Sequence, residues 1–146
     1  MSIESIAMWH KRARPEPDDD AFNVQLGCHF EEVLEMLDVL YFAEANDQTL
    51  LFEAANALEV LSNSLKDGTI KAQVTNRGEF LDSLGDQIVT AVGVGHCAGM
   101  KVVEAVNEVN RSNWSKFNYK GFPEFNEHGK IAKSANYTPP MLGEFV

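Results

Sequence analysis

Cysteine is scarce in this chain of 146 residues: only Cys28 and Cys97 occur, far apart and in no CxxC pair. That excludes a disulfide framework and a cysteine-built zinc site. Both fall in apolar helical patterns and are expected as reduced core residues. Basic residues are also few, 12 Lys and Arg against 22 Asp and Glu, for a formal charge of -10. Coating DNA or RNA takes a dense Lys/Arg footprint, so a nucleic-acid partner is not expected. A small phosphorylated ligand stays open, because divalent cations invert the local field. No apolar run approaches the ~20 residues of a membrane span. Met1 to Lys11 lacks the apolar core of a signal peptide. No membrane partner and a cytoplasmic location are therefore expected. No Ser-His-Asp or zinc spacing is present, and Gly93-Val94-Gly95 leads into His96 rather than a P-loop GK[ST].

What the chain does have is helical periodicity. Its length and 45% hydrophobic content suit one globular domain. A first helix is expected over Ile3 to Arg12, stopped by Arg14-Pro15-Glu16-Pro17. A second runs from about Ala21 to Ala45, with Leu26, Phe30, Val33, Leu37 and Leu40 as its core stripe and Asp18 to Asp20 at its start. A third covers Gln48 to Lys66 and stops at Asp67-Gly68. After a connector at Thr69 to Arg77, a fourth spans Gly78 to Ala98 with Leu81, Leu84, Ile88 and Val92 on one side. Gly85, Gly93, Gly95 and Gly99 are costly in a helix, which predicts close approach of another backbone, or fraying where Gly99 ends it. A fifth covers Lys101 to Lys116. The fold class is all-α, with four to five helices over 1–117. Residues 118–146 carry three of the five prolines and no helical period, and read as an arm with a small hairpin packed on the same domain.

Three features break the core patterns. Glu32 and Glu35 are three apart, so two like charges share a helix face beside apolar groups. Asp82 and Asp86, four apart, repeat the feature on the fourth helix, where aspartate is a poor mid-helix residue. On the fifth helix Val103 and Val106 start a stripe that continues as Asn110 and Asn113, flanked by Arg111 and Lys116. Buried amides need partners. If the second and fourth helices pack side by side, four carboxylates converge on a site for Mg²⁺, with Mn²⁺ as a substitute.

Glu32-Val33-Leu34-Glu35, in EExxE form with Glu31, and Leu84-Gly85-Asp86-Gln87 resemble the ExxE and ExxD halves of the all-alpha nucleoside triphosphate pyrophosphohydrolases. That superfamily includes MazG, dimeric dUTPases, dCTP pyrophosphatase and phosphoribosyl-ATP pyrophosphohydrolase. Ser83 stands where the family has glutamate, and Asp82 is the nearest carboxylate on that face. Glu79 with Asp82 also spells ExxD, one turn too early. Asn110-Arg111-Ser112-Asn113 with Lys116, and the tail from Gly129-Lys130 to Tyr137-Thr138-Pro139-Pro140, resemble a bacterial or phage MazG-like subfamily. The similarity runs over almost the whole chain.

The resemblance implies a bundle of the MazG type that hydrolyses a (deoxy)nucleoside triphosphate to the monophosphate and pyrophosphate. It implies Mg²⁺ on Glu32, Glu35, Asp82 and Asp86, and a dimer or tetramer. If phage-encoded, the protein works in the host cytoplasm. Glu31 is the candidate for orienting or deprotonating the attacking water, its alternative being a surface glutamate. Asn110, Arg111, Asn113 and Lys116 are the candidate substrate contacts. Trp9 and His10 either approach the base or pack the first helix. Other readings are phosphoribosyl-ATP hydrolysis and a non-catalytic metal-binding helical module, the latter favoured by Ser83.

Overall fold

The computed structural model describes residues 3–127 and 129–146; His128, within the turn expected at 127–130, lies outside the described residues, as do Met1 and Ser2. The fold is all-α. Its five helices are α1 (Ile3–Ala13), α2 (Asp19–Asp38), α3 (Ala45–Lys66), α4 (Arg77–Cys97) and α5 (Val102–Trp114). Among the described residues there is no strand; the hairpin expected in the arm is a single antiparallel bridge between Phe125 and Ile131. The chain forms two compact units. One comprises 17–72 with 126–130, the other the residues up to Glu16 with 73–125 and 131–146.

The first unit is an antiparallel hairpin of α2 and α3. Asp18 starts α2 by accepting the Ala21 N–H at 2.7 Å, and Asp19 and Asp20 favour the positive end of the helix. The helix stops at Asp38, well short of Ala45. There the Val39 and Leu40 N–H groups turn back to Met36 and Leu37, and β-branched Val39 with aromatic Tyr41 and Phe42 lose side-chain freedom in a helix. Gln48 Oε1 accepts the Phe42 N–H at 2.9 Å and fixes the loop, so α3 begins at Ala45, before the expected Gln48.

The two helices approach closely at Gly27. A Cβ there would stand 2.7 Å from Lys66 Cγ and 2.8 Å from the Ser62 carbonyl oxygen. Ser62, fully buried, donates its hydroxyl to the Gly27 carbonyl at 2.8 Å. At the open end, buried Asn23 accepts the Ala72 N–H at 2.7 Å and donates to the Asp19 carbonyl at 2.8 Å.

The second unit is organised around α5. Its core is Trp9 and Ala13 of α1 with Phe117, and Trp114 and Ile131 pack against it. The Trp9 and Phe117 rings stack at 5.7 Å, and Trp114 meets Phe117 edge-on at 5.5 Å. Trp9 Nε1 donates to the Asn113 carbonyl at 2.8 Å, so Trp9 serves helix packing.

The arm returns along α5 in the opposite direction. Ser134 donates to the Phe117 carbonyl at 3.0 Å, Ser112 to the Thr138 carbonyl at 2.8 Å, and Lys101 N–H to the Phe145 carbonyl at 2.8 Å.

α4 is capped by Asn76, whose side chain accepts from Gly78 and Glu79, and ends before Gly99 at φ 76°. It meets α5 where Gly95 abuts the Val102 side chain. The close backbone approach expected at Gly85 and Gly93 is absent among the described residues, since a Cβ at either would meet nothing within 4 Å. Gly95 is the one buried residue of α4. Cys97 is exposed and Cys28 half-buried, so the expectation of two core cysteines fails at Cys97, which sits in the last turn of that uncovered helix.

Candidate metal and phosphate site

The α2 carboxylates divide into two kinds. Glu31 is half-buried and gripped from two directions: Lys66 Nζ lies 2.9 Å from Oε1 and Lys130 Nζ 2.7 Å from Oε2. Lys66 comes from the last turn of α3, its stem passing over Gly27, one turn before Glu31. Lys130 comes from the 126–130 turn. Burial acts to raise the Glu31 carboxyl, but hydrogen bonds from Lys130 and Lys66 outweigh it and hold the group below the usual glutamate range. Such a carboxylate is a weak proton acceptor at neutral pH, although it can still orient a water molecule.

Glu32 and Glu35 are exposed on the neighbouring face of α2. Asp82 and Asp86 are exposed on α4 in the second unit. Among the described residues, no side-chain hydrogen bond or ion pair engages Glu35, Asp82 or Asp86. Glu79 is likewise exposed, in the first turn of α4, where its charge favours the helix N-terminus. Each unit holds one of the expected carboxylate pairs. The packing partner of α2 is α3, and that of α4 is α5, so neither unit contains the side-by-side pairing of the second and fourth helices. Among the described residues no group of three or more His, Cys, Asp or Glu is placed to hold a metal ion.

The expected substrate contacts of α5 have local duties. Asn110 is only 4% exposed and donates to Ser5 Oγ of α1 at 3.0 Å. Arg111 directs its guanidinium to both Glu108 oxygens at 2.8 and 2.7 Å, to Thr138 Oγ1 at 2.6 Å and to the Pro139 carbonyl at 3.0 Å. It therefore ties the arm to α5. Asn113 is half-buried in the last turn of α5, where its carbonyl accepts from Trp9, and Lys116, half-buried, lies past the helix end at Trp114 rather than closing the helix as expected. Burial lowers the pKa of His10, which stands edge-on to Trp9 at 4.8 Å.

Sequence reasoning missed Lys66 and Lys130. The lysine in GK of the tail was visible, but its partner lies 99 positions away. A shallow cavity of about 300 Å³ lies between Asn118, Tyr119, Lys120, Glu124 and Asn136 of the arm. Among the described residues no single helix is long and apolar enough to cross a membrane. No family model, no curated protein and no solved structure matches this chain.

Proposed function

We propose that the chain is a divalent-metal-dependent nucleoside triphosphate pyrophosphohydrolase of the MazG-like type, working in the cytoplasm as a homo-oligomer. The observation that carries the reading is the grouping on α2: Glu31 is held by two lysines, and the exposed carboxylates Glu32 and Glu35 share the neighbouring face. Hard oxygen donors exposed on one face suit Mg²⁺, which is usually held by one or two carboxylates and completed by water and substrate phosphates. Each helical pair is chemically sufficient on those terms. Glu32 and Glu35 on α2 would hold a metal, as would Asp82 and Asp86 on α4; when bound it would polarise the α-phosphorus and acidify a water molecule.

The chain's own residues supply the rest. Glu31, ionised and fixed by Lys66 and Lys130, orients a water by accepting its hydrogen bond. Lys66 and Lys130 bring positive charge to the same face. Among the expected α5 contacts, Asn113 keeps a substrate role more easily than Asn110 and Arg111, whose donors serve α1 and the arm.

Exposed apolar surface supports the homo-oligomer. Among the described residues only six apolar side chains are buried: Trp9, Ala13, Ala21, Leu51, Leu65 and Phe117. Leu81, Ile88, Val89, Val92 and Val94 of α4 are exposed, as are Leu50, Phe52, Val60 and Leu61 of α3. Helices this apolar reach stability by burial against another surface, and a stable interface takes roughly 800 Å² per partner.

The deciding experiment incubates the full chain with a panel of NTPs, dNTPs and phosphoribosyl-ATP in Mg²⁺ or Mn²⁺. Release of pyrophosphate and a monophosphate is expected; orthophosphate release, or no turnover of any substrate, refutes the reading. A second reading, a metal-binding module without turnover, is favoured by Ser83 in place of a carboxylate. Metal-dependent stabilisation without hydrolysis distinguishes it.

A further inference from the structure

Asn126 is bonded to both Gly129 and Lys130. Asn126 N–H donates to the Lys130 carbonyl and Asn126 Oδ1 accepts the Lys130 N–H, both at 2.9 Å. Gly129 N–H donates to the Asn126 carbonyl at 3.0 Å with φ 73°. The backbone of Lys130 is thereby fixed, and its long side chain is left to choose a partner.

That partner is Glu31, but the pairing is unbalanced. One carboxylate is shared by two ammonium groups, so neither lysine has it to itself. The two lysines also differ. Lys66 is 19% exposed, its stem laid over Gly27, and it acts as a fixed strut. Lys130 is 47% exposed at the solvent side of the same carboxylate, and its ammonium also feels Glu32. Solvent-exposed ion pairs are weak and easily exchanged. An anion carrying several negative charges competes well for such an ammonium.

We propose that Lys130 is a phosphate-binding residue, which exchanges Glu31 for oxygens of the polyphosphate chain of a ligand held on the Glu32–Glu35 face. This rests on the reading under Proposed function. Lys66 stays on Glu31 and keeps that carboxylate in place when Lys130 leaves. Because the contact is to phosphate, it is independent of the base.

Inorganic tripolyphosphate is the direct probe, titrated in Mg²⁺ into the full-length protein and into K130M and K130R. K130M should bind at least tenfold more weakly, K130R within threefold of the unaltered chain, and the Mg²⁺ shift in Tm should be the same in all three. In turnover, K130M should raise KM by a similar factor for every nucleotide with kcat little changed. Footprinting by lysine acetylation on the unaltered protein covers the case in which K130M fails to fold: tripolyphosphate should lower labelling at Lys130 and not at Lys71. Normal turnover and metal response, with K130M binding tripolyphosphate unimpaired or with Lys130 labelling unchanged, overturn the proposal alone. Absence of tripolyphosphate binding, metal response and turnover in the unaltered chain overturns the functional reading and this proposal together.

Discussion

Lys66 reaches Glu31 across a glycine: its ammonium stands 2.9 Å from the carboxylate, and its Cγ occupies the space that a side chain at Gly27 would fill. The absence of a Cβ at one position thus places a cation beside a carboxylate one turn later. A residue chosen for close helix packing decides the electrostatics of the candidate site.

Gly27→Ala tests this coupling. Alanine gains about 1 kcal/mol of helix propensity over glycine. Against it stand contacts of 2.7 Å to the Lys66 stem and 2.8 Å to the Ser62 carbonyl oxygen, the latter backbone that cannot step aside alone. Overpacking of this kind costs about 1–3 kcal/mol. Net destabilisation of up to about 2 kcal/mol is expected in chemical denaturation. A raised midpoint counts against the close approach.

Metal dependence separates the carboxylates. Mg²⁺ or Mn²⁺ should raise the Tm of the unaltered protein, because a ligand bound by the native state alone stabilises it. Glu35→Gln and Asp86→Asn should diminish that shift and abolish turnover, as should Asp82→Asn for turnover. Glu79→Gln should keep most activity. A dead Glu79→Gln with an active Asp82→Asn would reassign the fourth ligand.

Asn110 is poised for a double-mutant cycle with Ser5. Its amide is buried and donates to Ser5 Oγ. Asn110→Leu should destabilise by about 1–3 kcal/mol, since it removes a buried hydrogen bond and inserts a branched side chain. Coupling with Ser5→Ala of about 1 kcal/mol is expected from thermal unfolding of the four proteins. Additive losses would mean that the two residues do not support each other, and would return Asn110 to a substrate role.

Acid should loosen the arm. Arg111 hydrogen bonds first, and then the Met141 N–H, hold the Glu108 carboxyl down to about 2. A depressed folded-state pKa stabilises above the unfolded value of ~4.3 and loses that contribution as pH falls toward the folded value. Protection of the Met141 amide in hydrogen exchange, normalised for intrinsic rates, should therefore hold at pH 5–7 and decline between about pH 4 and 2. Glu108→Gln should show weaker protection and a flatter profile over that range; an identical profile would exclude Glu108 as the titrating group.

The sequence alone determined what depends on neighbours a few positions apart. The existence of the helices, the cap at Asp18 and the stop at Gly99 follow from local rules of hydrogen bonding and φ. So does the sharing of one α2 face by Glu32 and Glu35. The end of α2 was less legible, because the apolar run Val39–Phe42 continues a helical stripe, and the loop there is secured by Gln48 from the next helix. Only tertiary structure decided the partners. Glu31 meets lysines 35 and 99 positions away, and Arg111 spends its donors on a tail 27 and 28 positions away. It also decided that Cys97 is exposed and that Asn110 faces α1. Periodicity assigns a residue to a face, but which surface meets that face is set by contacts between distant segments, and those leave no spacing in the chain to read.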